Sequence, residues 1–234
     1  FFPPKDHPYD TLLDQFEPGM KTAEVQEIFG RLREKQVELL KAIADAKQVD
    51  DSFMHLNYAE EQQWDFGVEV ATKFGYDWQR GRQDKSVHPF TTSFGINDVR
   101  ITTRFLEDYV SSALFSTMHE AGHGLYELGV NQAYDRTPLN GGASLGVHES
   151  QSRMWENLVG RSLPFWEHFY PRLQELFPSQ LGNVELGAFY KGINKVEPSL
   201  IRVEADEATY NMHIMLRLEL EIAMIEGSVK TKDL

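Results

Sequence analysis

The sequence predicts a mainly α-helical protein with one small antiparallel β-hairpin. Three observations lead there. Apolar residues recur close to a 3.6-residue period over most of the chain. One stretch, residues 86–106, is instead dense in β-branched and aromatic residues. Immediately after it comes a helical pattern that carries His119-Glu120-Ala121-Gly122-His123.

Residues 1–20 are Pro-rich and read as irregular. Residues 21–48 read as a helix, with Val25, Ile28, Phe29, Leu32, Leu39, Leu40 and Ile43 on one period and Thr22 placed to cap its start. Residues 58–80 read as a second helix rich in aromatics, which core packing explains better than a ligand box. Within 86–106, Thr91, Thr92, Phe94, Ile96, Val99, Ile101 and Thr103 form two strands, and Gly95 with Asn97-Asp98 supplies the turn. Helices are then expected at 107–129, 148–160, 164–182 and, less distinctly, 187–196. A long one at 197–227 would have Pro198 in its first turn. A loop rich in Gly, residues 130–146, separates the third and fourth.

The composition is that of a globular protein, 41% hydrophobic and 25% charged. The net charge of −13 argues against nucleic acid and anionic membranes as partners. No apolar run approaches the roughly 18 residues of a membrane helix. Cysteine is absent, so a transition-metal site here must use His and carboxylates. That absence also fits a reducing cytoplasm. The opening Phe1-Phe2-Pro3-Pro4, with no initiator Met, and the close of the chain just after a long helical pattern suggest a piece of a longer protein.

Two His at i and i+4 on a helix stand about 40° apart around its axis, so both rings can face one metal ion. Glu120 points about 100° away from His119, beside such an ion rather than onto it. That is the place of a general base for water activation. Gly122 and Gly124 are poor helix formers, so their presence implies that something packs very close. A third protein ligand is needed. Spacing alone leaves His148, Glu149, Glu156 and His168 open.

The motifs together resemble the carboxypeptidase Taq family of metallocarboxypeptidases. His119-Glu120-Ala121-Gly122-His123 is followed by His148-Glu149-Ser150-Gln151-Ser152-Arg153. His88-Pro89-Phe90, Asp98-Val99-Arg100-Ile101-Thr102 and Ile201-Arg202-Val203-Glu204-Ala205-Asp206 match three further motifs of that family, all in its order. The resemblance implies a helical, gluzincin-like metallopeptidase of the zincin class that releases single amino acids from peptide C-termini. It implies Glu149 as third ligand and a divalent ion, zinc first and cobalt as the alternative. It also implies a homodimer acting on peptides. Residues 1–234 are then one catalytic region, cut from a chain about twice as long. The alternatives are an endo- or aminopeptidase of the same class, or an inactive metal-binding fragment.

A carboxypeptidase must hold a free carboxylate, for which an Arg fork is the natural tool. Arg202, Asp206, Thr209 and His213 would form one polar stripe on the last helix. Arg202 and His213 are therefore expected at the substrate, with His148 and Asp206 supporting the metal ligands.

Overall fold

The computed structural model describes residues 6–233. Residues 1–5, with the opening Phe1-Phe2-Pro3-Pro4, and residue 234 lie outside the described residues. In chain order the elements are α1 (Pro8–Leu13), α2 (Thr22–Ala44), α3 (Glu60–Phe74), β1 (Gly81–Lys85), β2 (Thr91–Ser93), β3 (Val99–Thr103), α4 (Val110–Leu128), α5 (Leu145–Arg153), α6 (Leu163–Leu176), α7 (Pro178–Leu181), α8 (Leu186–Ile193) and α9 (Glu207–Ile225). The mainly α class is as expected. The chain divides into two compact units, residues 1–48 with 195–234, and residues 49–194.

In the first unit, α1 and α9 both pack against α2. The start of α2 differs from expectation. Lys21, not Thr22, is its cap residue, and Thr22 is the first helical residue. Thr22 is buried and spends its hydroxyl on Asp10, whose Oδ1 accepts from Thr22 N at 2.7 Å and Thr22 Oγ1 at 2.6 Å. The first 20 residues are thus not wholly irregular: α1 stands on a capping box between His7 and Asp10 and presents Asp10 to α2.

The helix expected from residue 197 starts ten residues later. Asp206 has extended backbone (ψ 169), and its Oδ1 accepts from the N–H groups of Ala208 and Thr209 at 2.9 and 3.0 Å. That is N-cap geometry, so no helix runs through Asp206. Arg202 lies ahead of it on a separate 3₁₀ turn, Arg202–Glu204. The polar stripe from Arg202 to His213 on one helix therefore does not exist.

The second unit surrounds an aromatic core in which Tyr58, Phe66, Trp166, Phe177 and Phe189 are almost fully buried. Burial of each such side chain is worth about 1.5–3 kcal/mol. Of the α3 aromatics, Phe66 is a core residue and Phe74 packs against the core, as the packing reading expected, while Trp64 is half-buried beside Phe105. α3 stops at Gly75, which takes φ +98, a conformation that suits Gly. The chain then turns Tyr76 under the sheet, where its hydroxyl donates to the Val99 carbonyl at 2.6 Å.

The hairpin β2–β3 is present, with Thr91 opposite Ile101 and Ser93 opposite Val99. The sheet is mixed rather than purely antiparallel, because β1 pairs parallel to β3, in the order β1-β3-β2. Side chains alternate across a sheet. Val99, Ile101 and Thr103 share one face, against α4: Ile101 lies beside Gly124, and Thr103 Oγ1 meets Thr117 Oγ1 at 2.9 Å. Asp98, Arg100 and Thr102 take the opposite face. Arg100 donates to both Asp98 oxygens at 2.7 Å, and Phe90 N donates to Thr102 Oγ1 at 2.9 Å. The D-x-R-x-T and H-P-F segments thus brace each other on the side of β3 turned from α4.

Candidate metal centre

α4 is the axis of the site. It is buried along most of its length, and its two interior glycines mark close approaches. A Cβ on Gly122 would sit 2.7 Å from Ser152 Cα and 3.0 Å from the Gln151 carbonyl oxygen. A Cβ on Gly124 would sit 2.7 Å from the Tyr76 ring. Gly122 therefore lets α5 lie directly against the helix that carries the two His.

α5 begins at Leu145, capped by Ser144 Oγ accepting from Val147 N at 3.2 Å. Glu149 thus sits in its second turn rather than at its opening. From there Glu149 Oε2 lies 3.3 Å from His123 Nε2 and 3.5 Å from His119 Nε2. These three are the one group of His and acidic residues, among the described residues, whose ligand atoms cluster closely enough for a metal ion. Donors about 2.0–2.2 Å from a tetrahedral zinc stand about 3.4 Å apart, so the donor spacing fits that ion. The Glu149 side chain keeps 42% of its exposure, which opens the centre to solvent on that side.

The four third-ligand alternatives take different positions. Glu149 faces both Nε2 atoms. His148 and Glu156 stand behind the imidazoles: His148 Nδ1 is 2.7 Å from His123 Nδ1, and Glu156 Oε2 is 2.8 Å from His119 Nδ1. Glu156 reaches His119 from a π-helical turn, Met154–Val159, that continues α5. His168 is exposed on α6, its ring packed edge-on against Phe169.

The charges interlock. Arg153 Nε donates to Glu149 Oε1 at 3.1 Å, and Arg153 Nη1 lies 3.3 Å from Glu156 Oε2. Burial pulls the His119 pKa down, but the hydrogen bonds of Glu149 and Glu156 outweigh it and raise the pKa to about 10. Burial likewise pushes Glu149 up, while His119 and His123 hold it far below the usual carboxylate range. Glu156 is lowered against its burial by His119 and the nearby Arg153 and Arg161. Glu120 moves the other way: burial raises it, only partly opposed by His119 and by the Thr91 hydroxyl.

Glu120 is 5% exposed, and its Oε2 accepts from Thr91 Oγ1 at 2.6 Å. Thr91 also donates to the Glu120 carbonyl at 3.0 Å. Thr91 lies on β2, an outer strand of the sheet, and lines a polar cavity of about 700 Å³ together with Ser93, Asp98, Glu127, Asp135 and Asn140. In the antiparallel pairing, Thr91 and Ser93 alternate with residues that bond to β3, so their main-chain groups face the free edge.

Three residues here were not singled out from sequence: Thr91, Glu127 and Arg153. Glu127 carried a readable signal, since it continues the His119–His123 face at i+8. Arg153 lies one turn after Glu149 and carried a weaker one.

Arg202 and His213, expected at the substrate, and Asp206, expected to support the metal ligands, all belong to the first unit, whereas His119, His123 and Glu149 belong to the second. Arg202 donates through Nη1 to the Tyr210 hydroxyl, and its guanidinium stands 5.5 Å from the centre of that ring. Asp206 serves main-chain N–H groups, including Glu197 N at 3.0 Å, and the Thr209 hydroxyl at 2.8 Å. His213 lines a largely apolar cavity of about 460 Å³ with Leu40, Ile43, Met212 and Leu216.

No helix among the described residues is long and apolar enough to cross a membrane. Comparison with known proteins gives a consistent result. Residues 3–234 match the family model of Carboxypeptidase Taq (M32) metallopeptidases. The chain is 50% identical to Thermostable carboxypeptidase 1 of Thermus thermophilus over 99% of its own length and 46% of that protein's. It is 42% identical to Carboxypeptidase 1 of Bacillus subtilis, covering 98% of itself and 46% of that relative. Among solved structures, the M32 carboxypeptidase from Deinococcus radiodurans R1 superposes with a TM-score of 0.95 at 46% identity, over 98% of this chain and 46% of the other. The chain thus spans about half the length of the relatives it matches. With the motifs, the fold and these likenesses in agreement, the chain belongs to the Carboxypeptidase Taq (M32) family of metallopeptidases.

Proposed function

We propose that this chain carries the metal centre of a carboxypeptidase that releases single residues from peptide C-termini. One observation carries the reading: His119 Nε2, His123 Nε2 and Glu149 Oε2 converge at ligand spacing beside the buried Glu120. Two imidazoles and one carboxylate suit a divalent ion, zinc before cobalt. The chemistry such an ion supplies when bound is Lewis acidity toward water and a scissile carbonyl.

The residues supply the rest. Glu120, with a pKa raised by burial, accepts the proton of the attacking water and passes it to the leaving amine. Thr91 occupies one oxygen of Glu120 and leaves the other for that proton. The free edge at Thr91 and Ser93 offers main-chain groups to an extended peptide. The family resemblance alone carries Arg202 and His213 as further proposed substrate contacts, both in the first unit. Asp206 supports that segment as the cap of α9. The family resemblance adds a homodimer, and the lack of cysteine a cytoplasmic location, as further parts of the proposal, checked by sedimentation and by cell fractionation.

The test is Glu120→Gln, assayed on N-blocked peptides with free or amidated C-termini. The variant should keep its metal and lose activity at least about a hundredfold. The wild type should release residues only from the free C-terminus. Retained turnover in Glu120→Gln removes the base, and cleavage of amidated peptides removes the carboxypeptidase assignment.

A further inference from the structure

The two imidazoles of the metal centre are supported unequally. His119 Nδ1 meets a carboxylate directly, Glu156 Oε2 at 2.8 Å. His123 Nδ1 meets another imidazole, His148 Nδ1, at 2.7 Å. His148 Nε2 then meets Glu127 Oε1 at 2.7 Å. The His148 and Glu127 side chains are only 16% and 14% exposed. The His148 ring is boxed in as well. Tyr126 packs edge-on at 5.0 Å, and a Cβ on Gly142 would sit 2.8 Å from His148 Cδ2.

A neutral imidazole has one N–H donor and one acceptor nitrogen. If His123 Nε2 is a ligand, its lone pair is committed and the proton stands on Nδ1. That N–H needs an acceptor, which is His148 Nδ1. His148 must then carry its own proton on Nε2, and that N–H donates to the Glu127 carboxylate. Each assignment forces the next. Glu127 is four residues from His123 on the same helix, yet the pair is bridged by a ring from α5, the helix that also carries Glu149.

We infer that Glu127 is a positioning residue for the metal centre, holding His123 through His148 in the tautomer whose Nε2 is a ligand. The relay also ties α4 to α5, so it fixes His123 and Glu149 together. Carboxylates behind ligating histidines commonly set ring orientation and basicity; here an imidazole is interposed on one arm and not on the other. The inference rests on the metal reading proposed above.

The test measures zinc dissociation constants by chelator competition on the intact protein. Glu127→Leu should weaken zinc binding by about 10–100-fold. Glu127→Gln, whose carbonyl can accept the same N–H, should retain most of the affinity. In a His148→Phe background, Glu127→Leu should add little, because its route to His123 is gone. Wild-type affinity in Glu127→Leu, or an undiminished effect in the His148→Phe background, overturns the relay. Independently of any variant, nitrogen-15 histidine NMR of the zinc-loaded wild type should show His148 protonated on Nε2 alone, and a proton on Nδ1 overturns it. His119→Ala serves as the control. If that variant binds zinc like the wild type, the metal reading itself fails; if it loses zinc while Glu127→Leu does not, only the relay fails.

Discussion

The Thr91 hydroxyl donates to the Glu120 carboxylate at 2.6 Å and to the Glu120 carbonyl at 3.0 Å, joining an outer strand of the sheet to the proposed base. A hydrogen bond to a charged group is worth about 1.5–3 kcal/mol, and 1.4 kcal/mol is a factor of ten. Thr91→Val keeps the shape and removes the donor. It should lower kcat/KM about tenfold or more with metal content unchanged, and Thr91→Ser should restore most of the loss. Steady-state kinetics beside metal analysis checks this. Equal activity of the Val and Ser variants would mean that Thr91 is only a strand residue.

Arg153 stands between two carboxylates, with Nε 3.1 Å from Glu149 Oε1 and Nη1 3.3 Å from Glu156 Oε2. It occupies the Glu149 oxygen that does not face the imidazoles. Arg153→Ala should free Glu149 to rotate and weaken zinc binding about tenfold or more. Arg153→Lys should recover only part, since an ammonium is a point charge and does not span both carboxylates as a fork does. Chelator competition separates these outcomes, and an unchanged Ala variant would show that α5 alone orients Glu149.

What could be read in the sequence follows from whether the deciding geometry is local. His119 and His123 are legible because four residues of helix fix their relation whatever else the chain does. Gly122 is legible for a similar reason: glycine inside a helix is disfavoured unless a neighbour needs the room, and Ser152 does. Glu149 is not, because a loop of unknown path separates α4 from α5; only the family motif selected it from four alternatives. β1 was missed because Gly81-Arg82-Gln83-Asp84-Lys85 holds no β-branched or aromatic residue and is a strand by virtue of its parallel pairing with β3. The start of α9 was misplaced because Pro198 suits a first turn, while Asp206-Glu207 suits a cap and a first helical residue just as well. The partner of Thr91 is set by tertiary packing, which no spacing rule contains, whereas those of Arg153 stand four residues before it and three after it and follow helical spacing.

Gly122 has a direct stability consequence. Its missing Cβ would meet backbone at 2.7 and 3.0 Å and Trp155 Cδ1 at 3.1 Å. Backbone cannot yield cheaply, so Gly122→Ala should push α5 off α4. Overpacking of this kind costs about 1–3 kcal/mol, more than the roughly 1 kcal/mol that alanine gains in a helix. The variant should therefore unfold at lower urea concentration and bind zinc less tightly, because Glu149 moves with α5. Gly187, in α8, has nothing within 4 Å of a built Cβ. Gly187→Ala should instead be neutral or stabilising, by up to about 1 kcal/mol. Equal effects at the two positions would refute close helix contact as the role of Gly122.

Asp10 provides a pH signature in the first unit. It is 1% exposed, and hydrogen bonds from the Thr22 hydroxyl and Thr22 N–H hold its pKa at about 2, below the ordinary 3.8. A depressed folded-state pKa contributes stability above the unfolded value, and that contribution disappears as pH falls through the folded one. The Asp10 contribution is therefore complete above about pH 5 and fades between about pH 4 and pH 2. Thr22→Val removes the hydroxyl bond and leaves the backbone bond. Near neutral pH it should destabilise by about 1.5–3 kcal/mol, the worth of a hydrogen bond to a charged group. The difference from wild type should shrink as the carboxylate is protonated in both proteins. Urea midpoints for the two proteins at pH 7, 4 and 2.5 test this. A gap of constant size across that range would assign the loss to packing of the Thr22 side chain rather than to the Asp10 charge.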